Sequence, residues 1–331
     1  MVFGCGTPIS LTAEGDMRMG AAGHTIHRHQ CHHAWDNSLE PVATVAPGET
    51  LVFDVTDASS GQITPQSTAA VFSDYDSTRV NPVTGPIFVD GAEPGDVLVV
   101  HLESYAPSGW GWTANIPGFG LLADDFPDAA LLHWHYEPDG SSPLLFGDTA
   151  QIPLAPFSGT IGVAPEEPGP HSIIPPRRVG GNMDVRDLVA GSVLYLPIEV
   201  RGALLSIGDT HAAQGDGEVC GTAIESPMQV TASIDVLKGE ALAMPRLDRP
   251  ERRAGSGADA RVWITTGIDP DLHEAARAAV RGMIELLSRE RGLSALDAYM
   301  LCSVAGDLKI SQIVDAPNWT VSFQMPQSIF A

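Results

Sequence analysis

The stretch "GDTHAAQGDGEVCGTAIE" (Gly208–Glu225) gathers Asp209, His211, Asp216, Glu218 and Glu225 among glycines and small residues. It follows the apolar run "ALLSI", which places Asp209 and His211 at the end of a strand, where residues two apart point to one side. A carboxylate and an imidazole presented together suit a borderline cation such as zinc, which accepts mixed oxygen and nitrogen ligands. Gly215 and Gly217 let the chain bend sharply around Asp216 and Glu218, and "VCGTAIE" returns as a hairpin partner carrying Glu225. The competing reading is an acidic loop in water, its Asp and Gly present only as turn formers. A second cluster, "PPRRVGGNMDVRDL" (Pro175–Leu188), offers Asn182 and Asp184 two apart, beside Gly180 and Gly181. That pair could hold a substrate amide or complete a metal shell, or form a turn closed by an Asx hydrogen bond and Arg–Asp pairing. A third, "HTIHRHQCHHAWDN", carries five of the eleven histidines (His24, His27, His29, His32 and His33). Most of these read as surface or hydrogen-bonded residues.

Neither a Gly-x-Ser-x-Gly elbow nor a Ser-Ser-Lys amidase signature is present, which favours attack by water over an acyl-enzyme. Cys220 is a possible nucleophile, a reading that its acidic neighbourhood weakens. Cys5, Cys31, Cys220 and Cys302 lack CxxC spacing, against a thiolate zinc site or a disulfide framework. With no leader-like opening and no span-length apolar stretch, the expectation is a reduced, cytoplasmic, soluble protein. The 41 acids against 18 bases give a net charge of −23, which disfavours nucleic acid and anionic membranes and suits a neutral substrate or a cation.

The elements that must position these residues are mostly strands. "APGETLVFDV" and "EPGDVLVVHLESY" each follow a Pro-Gly-acid turn, and "PMQVTASIDVLKG" alternates Val230, Ala232, Ile234 and Val236. "GSVLYLPIEVRGALLSIGD" reads as two strands joined near Arg201 and Gly202. The one strong helical stripe runs Leu272, Ala275, Ala276, Ala279, Val280, Met283, Ile284 and Leu287, with Pro270 placed in its first turn and Gly292 at its end. Ser294 and Asp297 open a second helix with a capping box. The expected fold is mainly β, with sandwich- or barrel-like sheets and a smaller C-terminal α+β domain. The expected units are 1–160 (sandwich-like), 161–246 (carrying the site segments) and 261–331, with 247–260 as linker or loop. The C-terminal unit shows no chemical cluster and reads as support or subunit contact.

Four phrases carry a resemblance: "WDNSLEPVATVAPGETLVFDVTDASSGQI", "PGPHSIIPPRRVGGNMDVRDL", "AGSVLYLPIEVRGALLSIGDTHAAQGDGEVCGTAIE" and "ALDAYMLCSVAGDLKISQIVD". In them the chain resembles the acetamidase/formamidase family. The resemblance implies hydrolysis of the C–N bond of a short amide to carboxylate and ammonia, a divalent metal in the site, and a homodimer or higher homo-oligomer. On this reading Asp209, His211 and Asp184 hold the metal, zinc before calcium. Glu218 is the general base, with Glu225 in reserve, and Asn182, His33 and Asn37 orient the amide. "SGWGWTANIPGFG", with Trp110, Trp112 and Phe119, would wall the pocket or be a loop pinned by buried aromatics. Two alternatives stand: a hydrolase of a larger amide, carbamate or lactam, and a non-catalytic binding or assembly protein with a structural calcium.

Overall fold

The computed structural model describes residues 24–251 and 260–330. The start of the expected linker, 247–250, is strand: Arg246–Pro250 pairs with Val193–Pro197 on one side and Arg261–Asp269 on the other. Residues 252–259, and Cys5 with the start of the N-terminal unit, lie outside the described residues. One nine-stranded sheet therefore runs from His24–Ile26 through Thr50–Val55, Met228–Leu237, Val97–Pro107 and Val193–Pro197 to Arg246–Pro250, Arg261–Asp269, Trp319–Pro326 and Asp307–Gln312. A six-stranded sheet orders Gly180–Asn182, Phe157–Gly162, Ala203–His211, Val83–Val89 and Cys31–His32, with Ala43–Val45 also pairing Val83–Val89.

The two sheets share one core. Phe53, Val100, Leu194 and Val230 of the first pack with Ile87, Phe157, Ile161 and Leu205 of the second, all fully buried. Period two does this work: Leu51, Phe53 and Val55 face in while Thr50, Val52 and Asp54 are half-buried. The two strands read in "GSVLYLPIEVRGALLSIGD" belong to different sheets, so the chain crosses the sandwich at 198–202. Ala203–His211 is buried at every residue, as a central strand covered on both faces must be.

The Pro-Gly-acid device is one structure used twice. Gly48 and Gly95 both take φ 89°, the left-handed conformation that the third position of a type II turn requires. In each the acid side chain accepts from the N–H of the turn's first residue: Ala46 N–H to Glu49 Oε1 at 2.8 Å, Glu93 N–H to Asp96 Oδ2 at 2.9 Å.

Helix α1 (Leu272–Arg291) buries Ala275, Ala279, Met283, Leu286 and Leu287 against Val321, Phe323 and Met325. Its cap is Asp271, which accepts from His273 and Glu274 N–H, so Pro270 sits outside the first turn where it was expected. Helix α2 (Ala295–Ala305) starts on the expected Ser294–Asp297 cap. Its outer face leaves Leu296, Tyr299, Met300 and Val304 exposed.

Candidate active site

Four segments converge at one end of the sandwich. The Ala203–His211 strand delivers Asp209 and His211, whose side chains meet at 3.2 Å between Asp209 Oδ1 and His211 Nε2. Phe157, the register partner of His211, packs edge-on against the imidazole at 5.0 Å between centroids. The returning segment brings Glu225 opposite both His211 and Trp112, with Glu225 Oε2 3.1 Å from His211 Nε2. Ala223 N–H, at 2.8 Å, holds its other oxygen. Between them a tight turn, closed by Glu218 N–H to Gly215 O and Gly221 N–H to Glu218 O, buries Glu218. Asp216 turns the other way, toward Arg186 and Lys309.

The Gly180–Asn182 strand supplies the rest. Asp184 is fully buried, and its N–H bonds Gly159 O at 3.2 Å. Asn182 accepts from Thr160 Oγ1 and Asn81 Nδ2 and donates to Asp315 Oδ2 at 2.9 Å. Asp315 is a residue the sequence reading missed. It comes from the C-terminal third, expected to be support or subunit contact, and Gln312 fixes it by accepting from its N–H. His33 and Asn37 are not brought to this cluster. His33 bonds Ser60 Oγ, and Asn37 donates to the carbonyls of Pro165, Glu166 and Glu167, pinning that loop.

Gln214 was also missed, and its bonds settle the imidazole's orientation. Its Nε2 donates to the Asp184 carbonyl at 3.0 Å, an atom that can only accept. Its Oε1 must then face His211 Nδ1, 2.9 Å away, so that nitrogen carries the proton. That leaves Nε2 as the edge facing Asp209 and Glu225, where it holds a proton between the two carboxyls or, with that proton gone, would face a metal. No pattern in "HAAQGDGE" marks Gln214; only the fold brings it between His211 and Asp184.

Five carboxyls and one imidazole thus share a space nearly closed to solvent. Burial pushes Asp184, Glu218 and Asp315 well above the usual carboxylate range, and their mutual repulsion adds to it. Burial raises Glu225 to about 7 despite His211 beside it. For Asp209 burial works in the same direction and is the largest single effect, but His211 together with hydrogen bonds to Glu225 and Thr160 outweighs it, and the carboxyl ends below its ordinary value. His211 is raised well above its own, because Glu225 and Asp209 overcome the burial that would lower it.

A cation fits this donor set. Oxygen and nitrogen donors of Asp184, His211 and Glu218 lie within 4.8 Å of one another, as do those of Asp209, His211 and Glu225. No N–H or hydroxyl donates to either oxygen of Asp184, whose hydrogen-bond neighbour is the carboxyl of Asp315, an acid beside an acid that a cation would relieve. Gly159 keeps the space open: a methyl there would run into Asp184 Oδ1 and come within 2.9 Å of Asp209 Oδ2 and of His211 Cε1.

Above the acids lies a cavity of ≈ 270 Å³ lined by Tyr75, Trp112, Ile116 and Phe119 as well as Asn182, Asp209, Glu218, Glu225 and Asp315. Trp112 and Phe119 are therefore pocket wall, as one reading of their segment held. Trp110 is not among the lining residues.

The acetamidase/formamidase family model matches residues 22–172 and 167–331. The formamidase of Methylophilus methylotrophus is 29% identical over 91% of this chain and 89% of its own. The crystal structure of an acetamidase from Bacillus halodurans superposes with a TM-score of 0.83 at 32% identity, covering 92% of this chain and 98% of that one. A gamma lactamase from Delftia acidovorans superposes with a TM-score of 0.65 at 25% identity, covering 93% of each. The chain belongs to the acetamidase/formamidase family and is a hydrolase of amide C–N bonds.

Proposed function

We propose that this enzyme cleaves a small primary amide to carboxylate and ammonia, with a divalent cation held by Asp184, Asp209 and His211. The observation that carries the reading is the convergence of five buried carboxyls on one imidazole, with donors of Asp184, His211 and Glu218, and of Asp209, His211 and Glu225, each lying within 4.8 Å of one another. The relatives' names, formamidase and acetamidase, support an unsubstituted amide nitrogen. The imidazole favours zinc over calcium, whose ligands are oxygens. A bound cation of this kind supplies Lewis acidity toward an amide carbonyl and lowers the pKa of water.

The chain's own groups account for the proton. Glu218 lines the cavity, and burial raises its affinity for protons, so its carboxylate suits taking one from water and passing it to the departing nitrogen. Glu225 is less free, since one oxygen is held by Ala223 N–H and the other lies against His211. Asn182 lines the same cavity and has one amide hydrogen beyond its bond to Asp315 with which to orient a substrate carbonyl.

Glu218→Gln should lower ammonia release about 10²–10⁴-fold, the usual worth of a general base, while metal content stays at the wild-type level. A variant retaining full turnover would remove Glu218 from the mechanism. The likeness to the gamma lactamase favours a second reading, the same chemistry on a cyclic amide. Ring opening of a γ-lactam faster than ammonia release from every linear amide would establish that reading instead.

A further inference from the structure

We infer that the acyl group this enzyme prefers is apolar and larger than methyl, a branched aliphatic or aryl primary amide. The inference rests on the amide-hydrolase reading and deepens it. The cavity's lining is of two kinds. Asn182, Asp209, Glu218, Glu225 and Asp315 make its floor; Tyr75, Val80, Trp112, Ile116, Phe119 and Ile174 make a mainly apolar wall, with Ser77, Asn81 and Thr222 also in the lining. At roughly 30 Å³ for each water, 270 Å³ is room for about nine, and acetamide, with the bulk of about three, fills about a third of it. With the amide at the floor, the remaining water would lie against the wall, and an apolar substituent gains by displacing it.

The wall is built, not incidental. Trp112 is 1% exposed and exchanges two backbone hydrogen bonds with Glu225, at 2.8 and 2.9 Å. Its indole N–H is held by Asp57 Oδ1 at 3.0 Å. The Phe119 ring lies against Gly221, where a Cβ would come to 2.5 Å from it, and Leu121 N–H bonds Val219 O. The wall is thus tied to the same turn that carries Glu218, so acyl recognition and proton transfer share one segment. Among the described residues lining the cavity there is no lysine, arginine or histidine, while five are acids or an acid amide partner of one: Asn182, Asp209, Glu218, Glu225 and Asp315. A substrate bearing its own carboxylate finds no basic side chain there to pair with.

The test is kcat/KM for ammonia release from formamide, acetamide, isobutyramide, benzamide and succinamate with the purified enzyme. We expect isobutyramide or benzamide to exceed acetamide by at least about tenfold, the low end of what an added apolar group is worth in a fitted pocket, and succinamate to be poor. Phe119→Ala should shrink that ratio. Formamide or acetamide matching the larger amides would overturn the acyl inference and leave amide hydrolysis standing. No ammonia from any amide would overturn the hydrolase reading beneath it. The wild-type series decides the question even if the Phe119 variant fails to fold.

Discussion

The imidazole of His211 is oriented by one side chain, Gln214, which ties it to the backbone of Asp184. That link joins two segments that each supply a proposed ligand. Gln214→Ala should weaken divalent-metal affinity about 10–100-fold, the usual cost of losing such a partner, with little change in the melting of metal-free protein. Competition with a chromophoric chelator reads the affinity, and an unchanged value would show that Gln214 is spectator to the site. At this scale the sequence was legible where chemistry followed spacing. Asp209 and His211 are two apart on a strand; Glu225 returns on the partner; Asn182 and Asp184 flank two glycines. Gln214 and Asp315 carry no such mark, because their role depends on contacts across the fold. His33 and Asn37 mislead for the complementary reason: their residue types suit a site, but their partners are a serine and loop carbonyls.

Turns and strands were read well where local chemistry is decisive. The Pro-Gly-acid turns reflect a left-handed glycine and an acid closing on the turn's first N–H. The stretch 247–250 was misread because "LDRP" is polar on its surface; its place in the sheet comes from pairing on both sides. The turn before Val97 makes a prediction. Asp96 is buried, and burial alone would raise its carboxyl, but Lys238 and the N–H groups of Gly239 and Glu93 hold it below the ordinary value. A carboxyl lowered on folding contributes stability above its unfolded pKa of about 3.9 and loses it as the pH falls through the folded value. Asp96→Asn should therefore cost about 1–3 kcal/mol at pH 7. The difference from wild type in urea midpoint should shrink by pH 3. A difference of the same size at both pH values would mean that Asp96 acts through shape and not charge.

Across the whole molecule, the nine-stranded sheet runs from the N-terminal strands through to the C-terminal α+β region, and that region donates Asp315 to the acids. Reading the chain in consecutive blocks could not reveal this, since strand order departs so far from chain order. The net charge of −23 fits the same picture: it draws cations, leaves a neutral amide indifferent and repels the carboxylate product. Inside the site the charge problem is sharper, because five buried carboxyls must be offset by protons or by a cation. The most direct measurement is elemental analysis of freshly purified enzyme, coupled to ammonia release before and after chelation. The account predicts about one divalent transition metal per chain, activity lost with the metal and activity restored when zinc is returned. Metal-free protein with undiminished ammonia release would contradict it.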